Sequence, residues 1–131
     1  MKFRPEVRPF LLASAILGAL SFLLPSLLGS APGTSLAWGF LAGGCSAAYM
    51  LFFFRDPEVS VPAEEDCIVA AASGKMAKIA EIRENDYLKT DTIRISIFLS
   101  LFDVHVNRFP IGGYATFLGY FPGKRLFTFD E

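Results

Sequence analysis

Two long apolar runs fill the first part of the chain, and short runs of alternating character fill the rest. Phe10 to Leu28 is apolar or small almost throughout, and at ~1.5 Å per helical residue it is long enough to cross a hydrocarbon layer of ~30 Å. Ser30 to Ser35, rich in Pro, Gly and Ser, predicts a turn. Leu36 to Phe54 is the second apolar run, with Trp38 near its beginning, where an interfacial aromatic belongs. The pair predicts a helical hairpin. Gly18, Ser21, Gly39, Gly43, Gly44 and Ser46 leave two readings open, a hairpin that spans the bilayer and one that dips into a single leaflet. A cleavable signal peptide is disfavoured, because the second run follows directly and no small-residue cleavage site ends the first.

After Arg55-Asp56-Pro57 the period changes. Strand-like runs lie at Cys67 to Ala71, Lys75 to Ile82, Thr92 to Leu99, Val104 to Asn107, Tyr114 to Phe121 and Leu126 to Phe129. Ser73-Gly74, Glu84-Asn85-Asp86, Pro110 to Gly113 and Pro122-Gly123 punctuate them. In Thr92 to Leu99, Ile93, Ile95, Ile97 and Leu99 share one face, while Arg94 and Ser96 share the other. The expected fold class is mainly β: a compact sheet of the barrel-sandwich kind, preceded by an amino-terminal hydrophobic helical hairpin. The expected divisions are a basic amino-terminal segment at 1–9, two membrane-associated helices at 10–54, and a β-rich domain at 55–131 that is truncated at its carboxyl end.

Charge sharpens the first division. No Asp, Glu, Lys or Arg occurs from Pro9 to Phe54, while Lys2, Arg4 and Arg8 precede that region and Arg55 follows it. Basic residues at both ends place those ends on the cytoplasmic side of a cell membrane. The net charge of −1 contains no basic stripe, which argues against a nucleic-acid partner. Two differently placed cysteines, Cys45 and Cys67, and a single histidine argue against a disulfide framework and against a protein-built metal site.

That histidine, His105, is the main chemical signal. It lies in Asp103-Val104-His105-Val106-Asn107-Arg108, and if Val104 and Val106 face a core, a strand period of two gathers Asp103, His105 and Asn107 on the other face. A lone histidine on a strand is often a satisfied structural residue, so the pattern alone leaves base and scaffold both open.

Four motifs decide what the pattern resembles: Phe53-Phe54-Arg55-Asp56-Pro57, Val69 to Met76, Ile95 to Arg108, and Phe121-Pro122-Gly123-Lys124. In this order and spacing they resemble the amino-terminal portion of phosphatidylserine decarboxylase proenzymes, in the shorter prokaryotic form. The resemblance implies a pyruvoyl-dependent carboxy-lyase that converts phosphatidylserine to phosphatidylethanolamine and CO2 at the membrane. It implies a pyruvoyl cofactor made from a serine in a Gly-Ser-Thr-like motif near the family's carboxyl end, and cleavage into a large β chain and a small pyruvoyl-bearing α chain. The implied partners are membrane phosphatidylserine and that α chain, with a homo-oligomer left open. No metal is implied.

By the same resemblance His105 is the base. The family orients its histidine with an aspartate from a Pro-Ala-Asp-Gly motif, and the matching position here is Ser73 in Ala71-Ala72-Ser73-Gly74. Ser73 is either an ordinary turn residue or the mark of a lost acid, whose place Asp103 or an acid from elsewhere is then needed to fill. Asn107, Arg108 and Arg55 are candidate substrate-binding residues. The competing readings are an ion pair for Arg108 and an electrostatic helix anchor for Arg55. No Gly-Ser-Thr-like processing motif occurs in the expected region, so the pyruvoyl group is expected from a carboxyl-terminal segment outside this sequence, and the isolated chain is expected to be inactive. The alternative is a non-catalytic, membrane-anchored lipid-binding or adaptor module derived from the same fold.

Overall fold

The computed structural model describes residues 1–62, 67–120 and 122 of the 131-residue chain. A short strand β1 (Lys2–Phe3) and a 3-10 turn (Pro5–Val7) lead into helix α1 (Arg8–Leu27). Helix α2 (Pro32–Phe53) returns alongside it, followed by strands β2 (Arg55–Asp56), β3 (Lys75–Arg83) and β4 (Asp91–Phe98).

The connection between the helices is shorter than the Pro/Gly/Ser stretch predicts. Pro32 begins α2, a position where its missing N–H costs nothing, so Gly33 to Ser35 are helical. Pro25 lies inside α1, which runs on to Leu27 and closes with a Schellman arrangement. Gly29 sits there at φ +80°, its N–H donates to Ser26 O at 3.1 Å, and Ser30 N–H donates to Pro25 O at 3.0 Å.

Small residues set the approach of the two helices. A Cβ added to Gly39 would fall 2.8 Å from Phe22 Cβ, and one added to Gly43 would fall 2.9 Å from Gly18 Cα. Gly39 and Gly43 form a G-x-x-x-G pair, a spacing that lets helix backbones touch in an apolar medium. Ser14, on the same seam, donates to Phe10 O at 2.9 Å and meets Ser46 Oγ at 2.9 Å, so the Ser46 hydroxyl donates to Ser14. Gly18, Gly39, Gly43 and Ser46, among the small residues that suggested a shallow hairpin, thus lie between the helices, while Gly44 and large apolar side chains face outward. Leu24, Leu27 and Phe40 are 65%, 83% and 81% exposed. An apolar surface of this kind suits a lipid surrounding better than water. Both helices are long and apolar enough to cross a membrane.

The β elements are fewer than predicted, and among the described residues helix exceeds strand; the expectation of a mainly β chain is corrected to that extent. β1 pairs antiparallel with β2, Lys2 opposite Asp56 and Phe3 opposite Arg55. β3 and β4 form an antiparallel hairpin with a register shift between Met76 and Lys78. Its connecting loop is organised by Glu84, whose carboxylate accepts the N–H groups of Asp86 at 2.7 Å and Tyr87 at 2.8 Å and also that of Leu88. These N–H groups hold the Glu84 carboxyl below its ordinary range.

Cys67 to Ala71 and Val104 to Asn107 are not strands. Their segments meet through scattered bonds, Val69 N–H to Pro110 O at 3.0 Å, Arg108 N–H to Ala71 O at 2.9 Å, and one antiparallel bridge between Ser73 and Val104. Residues 114–120 form no strand either, because a strand exists only where a neighbour takes up its N–H and C=O groups. The predicted run Leu126 to Phe129 and, apart from Pro122, the Phe121-Pro122-Gly123-Lys124 motif lie outside the described residues.

Gly43→Leu places a branched side chain where the seam admits no Cβ. It is expected to destabilise the helix pair by about 1–3 kcal/mol, the usual cost of overpacking, read as earlier thermal loss of structure in detergent.

A histidine cleft at the base of the helical hairpin

The loop that carries His105 is fastened to the end of α2, and the local sequence there explains how. Helix α2 ends in Phe52-Phe53, with Phe54 capping it, and runs directly into Arg55-Asp56-Pro57. Arg55 Nη1 donates to Phe52 O at 2.7 Å, satisfying a carbonyl that the helix end leaves without an internal donor. The same guanidinium lies 3.8 Å from the Phe52 ring centroid, and its Nη2 donates to Phe102 O at 2.8 Å. Arg55 therefore ties the start of the histidine loop to the helix. At the other end, Arg108 pairs with the Asp56 carboxylate and donates to Pro57 O at 3.1 Å. Tyr49 adds a longer contact, its hydroxyl donating to Leu101 O at 3.4 Å.

Between these two ties the imidazole stacks on Phe53, ring centroids 4.3 Å apart and planes inclined by 28°. Phe53 is in turn edge-on to Phe54 at 5.2 Å, and Phe54 meets Phe10 of α1 at 5.0 Å. An aromatic chain thus connects both helices to the histidine. His105 Nδ1 lies 3.1 Å from Asp103 O, and since a carbonyl oxygen only accepts, Nδ1 carries the proton and Nε2 is the basic nitrogen. Nε2 has no hydrogen-bond partner among the described residues.

Asp103 acts through its backbone here. Its carboxylate accepts Ser100 N–H at 2.8 Å while its own N–H donates to Ser100 O at 2.9 Å, closing a tight turn. The Ser100 N–H and hydroxyl hold the Asp103 carboxyl below its ordinary range, and the positive charges of His105 and Arg55 add to this in smaller measure. The sequence-level possibility that Asp103 replaces a missing acid meets this geometry: its backbone oxygen touches the imidazole, and its carboxylate holds the turn.

Ser73 reaches the same place from the other side, paired through its backbone with Val104, the residue before His105. Gly74 follows in tight quarters, where an added Cβ would fall 2.3 Å from Phe98 O. Ser73 thus sits at a bend whose next residue must be glycine. The predicted alternation of core-facing valines and exposed polar residues does not form. Val104, His105 and Val106 are all half-buried and Asn107 is exposed, because the loop lies against α2 instead of lying in a sheet.

His105, Val106 and Asn107 line a cleft of about 290 Å³ with Phe54, Arg4 and Glu6. Arg4 and Glu6 were not among the sequence candidates. They reach the cleft because β1 pairs with β2 and Arg4 N–H donates to Phe54 O at 3.0 Å. Among the described residues no group of three His, Cys, Asp or Glu side chains could hold a metal ion. Arg55 and Arg108 are engaged with the loop, so the structure brings His105 and Asn107 to the cleft, links Ser73 to the loop through its backbone bridge to Val104, and places the two arginines as ties.

A histidine loop held at the end of an apolar helix pair defines a membrane-type anchor joined to a small polar site. Comparison with known proteins is specific about its kind. The family model described as phosphatidylserine decarboxylase matches residues 47–131, which include Arg55-Asp56-Pro57, Ser73 and the whole histidine loop. The chain belongs to the phosphatidylserine decarboxylase family. It is similar to the phosphatidylserine decarboxylase proenzyme of Carboxydothermus hydrogenoformans, 44% identical over 83 residues that cover 63% of this chain and 39% of that protein. The proenzyme of Symbiobacterium thermophilum is 40% identical over 85 residues, 65% of this chain and 40% of that protein. The proenzyme of Ralstonia pickettii is 34% identical over 103 residues, 79% of this chain and 46% of that protein. The chain therefore spans less than half the length of these relatives. No solved structure matches it.

Two outcomes are expected from the site. The Asp103 carboxyl is depressed in the folded chain, so its contribution to stability is full above the ordinary carboxylate value and is lost as pH falls through the depressed one. Asp103→Asn should remove that acid limb, read as Ser100 amide exchange against pH. Ser73→Asp places a carboxylate on the residue bridged to Val104 and is expected to move the His105 ring resonances, read directly because the chain has a single histidine. Unchanged ring resonances would show that position 73 does not act on the imidazole.

Proposed function

We propose that this chain is the amino-terminal, β-chain portion of a membrane-held phosphatidylserine decarboxylase in which His105 is the proton-transfer base. One observation carries the reading: an imidazole with Nδ1–H held by the Asp103 carbonyl, its ring against Phe53, and a basic Nε2 without a partner among the described residues. A base needs that tautomer and orientation before it can act.

A pyruvoyl group, expected from a serine in a carboxyl-terminal segment, supplies an electron-sink carbonyl for the loss of CO2. The residues of this chain fit such a partner, since the imidazole supplies a proton acceptor and the cleft beside it is lined by polar and apolar side chains that suit a lipid head group. Nε2 of His105 accepts the hydroxyl proton of the processing serine as that oxygen attacks the preceding carbonyl and passes it to the departing amide nitrogen, and in each later turnover, protonated again from solvent, it gives a proton to the substrate carbon that CO2 leaves. The imidazolium formed in between is favoured by the face of Phe53. Asn107, exposed at the rim, hydrogen-bonds the polar part of the substrate. Ser73 occupies the family's aspartate position with a hydroxyl, while Arg55 and Arg108 are positioning residues that hold the loop.

The apolar face of the β hairpin supports a further β layer. Ile79, paired with Ile95, and Ile93 are 60%, 58% and 67% exposed, a row that a barrel-sandwich domain completed by the carboxyl-terminal α chain would cover. Lys2 and Arg4 stand beside Arg55 through the β1–β2 pairing and the Arg4 N–H bond to Phe54 O, and Arg8 opens α1, which supports a cytoplasmic site by the positive-inside rule.

The test is co-expression with the carboxyl-terminal portion of a relative such as the Carboxydothermus proenzyme. The expected result is a pyruvoyl-capped chain and CO2 release from phosphatidylserine vesicles. His105→Ala should lower the release by at least about 100-fold, the low end for loss of a general base. Undiminished release in that variant would remove His105 from the mechanism, and no release from the intact pair would sink the decarboxylase reading.

A further inference from the structure

We infer that Arg4, on the segment before the first helix, is a substrate-positioning residue that takes the phosphodiester of the phospholipid head group into the His105 cleft. The inference rests on the decarboxylase reading above and extends it to a part of the chain that the family match, confined to residues 47–131, does not reach.

Three observations lead to it. The β1–β2 pairing and the Arg4 N–H bond to Phe54 O fix the backbone of this segment against the end of α2. That places Arg4 on the wall of the cleft that holds His105 and Asn107. Arg55 and Arg108 are bound to backbone carbonyls and to Asp56, so among the described residues Arg4 is the arginine that lines the cleft. Among the described residues its rival is Glu6, which meets it at 3.2 Å with side chains 47% and 59% exposed. A pair so exposed is weak and can be exchanged for a ligand oxygen. Arg4 lies four residues before α1, where the apolar run begins, so the guanidinium stands at head-group level.

The chemistry selects the phosphodiester over the carboxylate. A guanidinium on the departing carboxylate would stabilise charge that the reaction removes, favouring the ground state. The phosphodiester keeps its charge throughout, and a fork of N–H donors on it orients the substrate without opposing the reaction. Glu6 then acts as a competitor for Arg4 in the empty cleft. Removing each of the two should therefore move affinity in opposite directions, which a purely structural pair would not do.

The single histidine makes the test direct. The full chain, labelled at histidine and held in a neutral detergent, is titrated with sn-glycero-3-phosphoserine, with L-serine and with inorganic phosphate, following the His105 ring resonances. The inference expects saturable shifts with the phosphodiester, an apparent Kd raised about tenfold in Arg4→Gln, partial rescue in Arg4→Lys, and a lowered Kd in Glu6→Gln. L-serine should respond equally in all variants. A phosphodiester response unchanged in Arg4→Gln would overturn the role of Arg4 while leaving the histidine site standing. Equal affinity for inorganic phosphate would overturn the head-group assignment in favour of a general phosphate site. No shift with any probe in the parent chain would overturn both this inference and the decarboxylase reading of the cleft.

Discussion

The junction of α2 with Arg55-Asp56-Pro57 is the constraint on which the rest depends. Arg55 reaches back to the helix end and forward to Phe102, Asp56 and Pro57 receive Arg108, and Phe53 carries the imidazole between them. A loop of irregular backbone has little stability of its own, since it lacks the repeated bonds of a ladder. Here five consecutive residues at a helix terminus hold it at both ends. The rigidity of the site is borrowed from the helix pair, and the helix pair in turn depends on backbones close enough that Gly18, Gly39 and Gly43 touch.

This coupling gives the apolar hairpin a second role besides attachment. Phe10 of α1 meets Phe54, Phe54 meets Phe53, and Phe53 meets His105, so the spacing of the helices is felt at the imidazole through three ring contacts. The site also stands where the apolar run ends, the level at which a phospholipid presents its polar group.

Electrostatics around the loop are divided between structure and chemistry. Asp103, the acid closest in sequence to the histidine, is engaged by the Ser100 N–H and closes a turn, leaving only its carbonyl to orient the ring. Asp56 neutralises Arg108. The groups left facing the cleft are His105, Asn107, Arg4 and Glu6, a set whose charges balance when the imidazole is neutral and turn positive when it takes up a proton.

Much of this was legible in the sequence. The two apolar runs announced the helices because a bilayer-length span has to be apolar over its whole length, and the alternation in Thr92 to Leu99 announced β4 because a pleated strand has period two. His105 and the Arg55-Asp56-Pro57 motif stood out as residue types that apolar surroundings do not tolerate without purpose. The strands expected at Cys67 to Ala71 and Val104 to Asn107 failed because pairing partners are not encoded locally, and the loop found α2 instead of a neighbouring strand. For Arg55 and Arg108 the sequence left ligand binding and a helix anchor or ion pair both open, and the role of Asp103 unplaced, since whether a charged side chain faces a ligand or ties down a carbonyl depends on what folds against it. Arg4 shows this most plainly. By sequence it is one of several basic residues ahead of an apolar run, and only the pairing of two residues at the amino terminus with two beyond the second helix brings it beside the histidine. Local chemistry thus determined the helices, the β hairpin and the histidine that stands out among apolar neighbours, while contacts between segments some fifty residues apart, which no local pattern can specify, decided which side chains surround it.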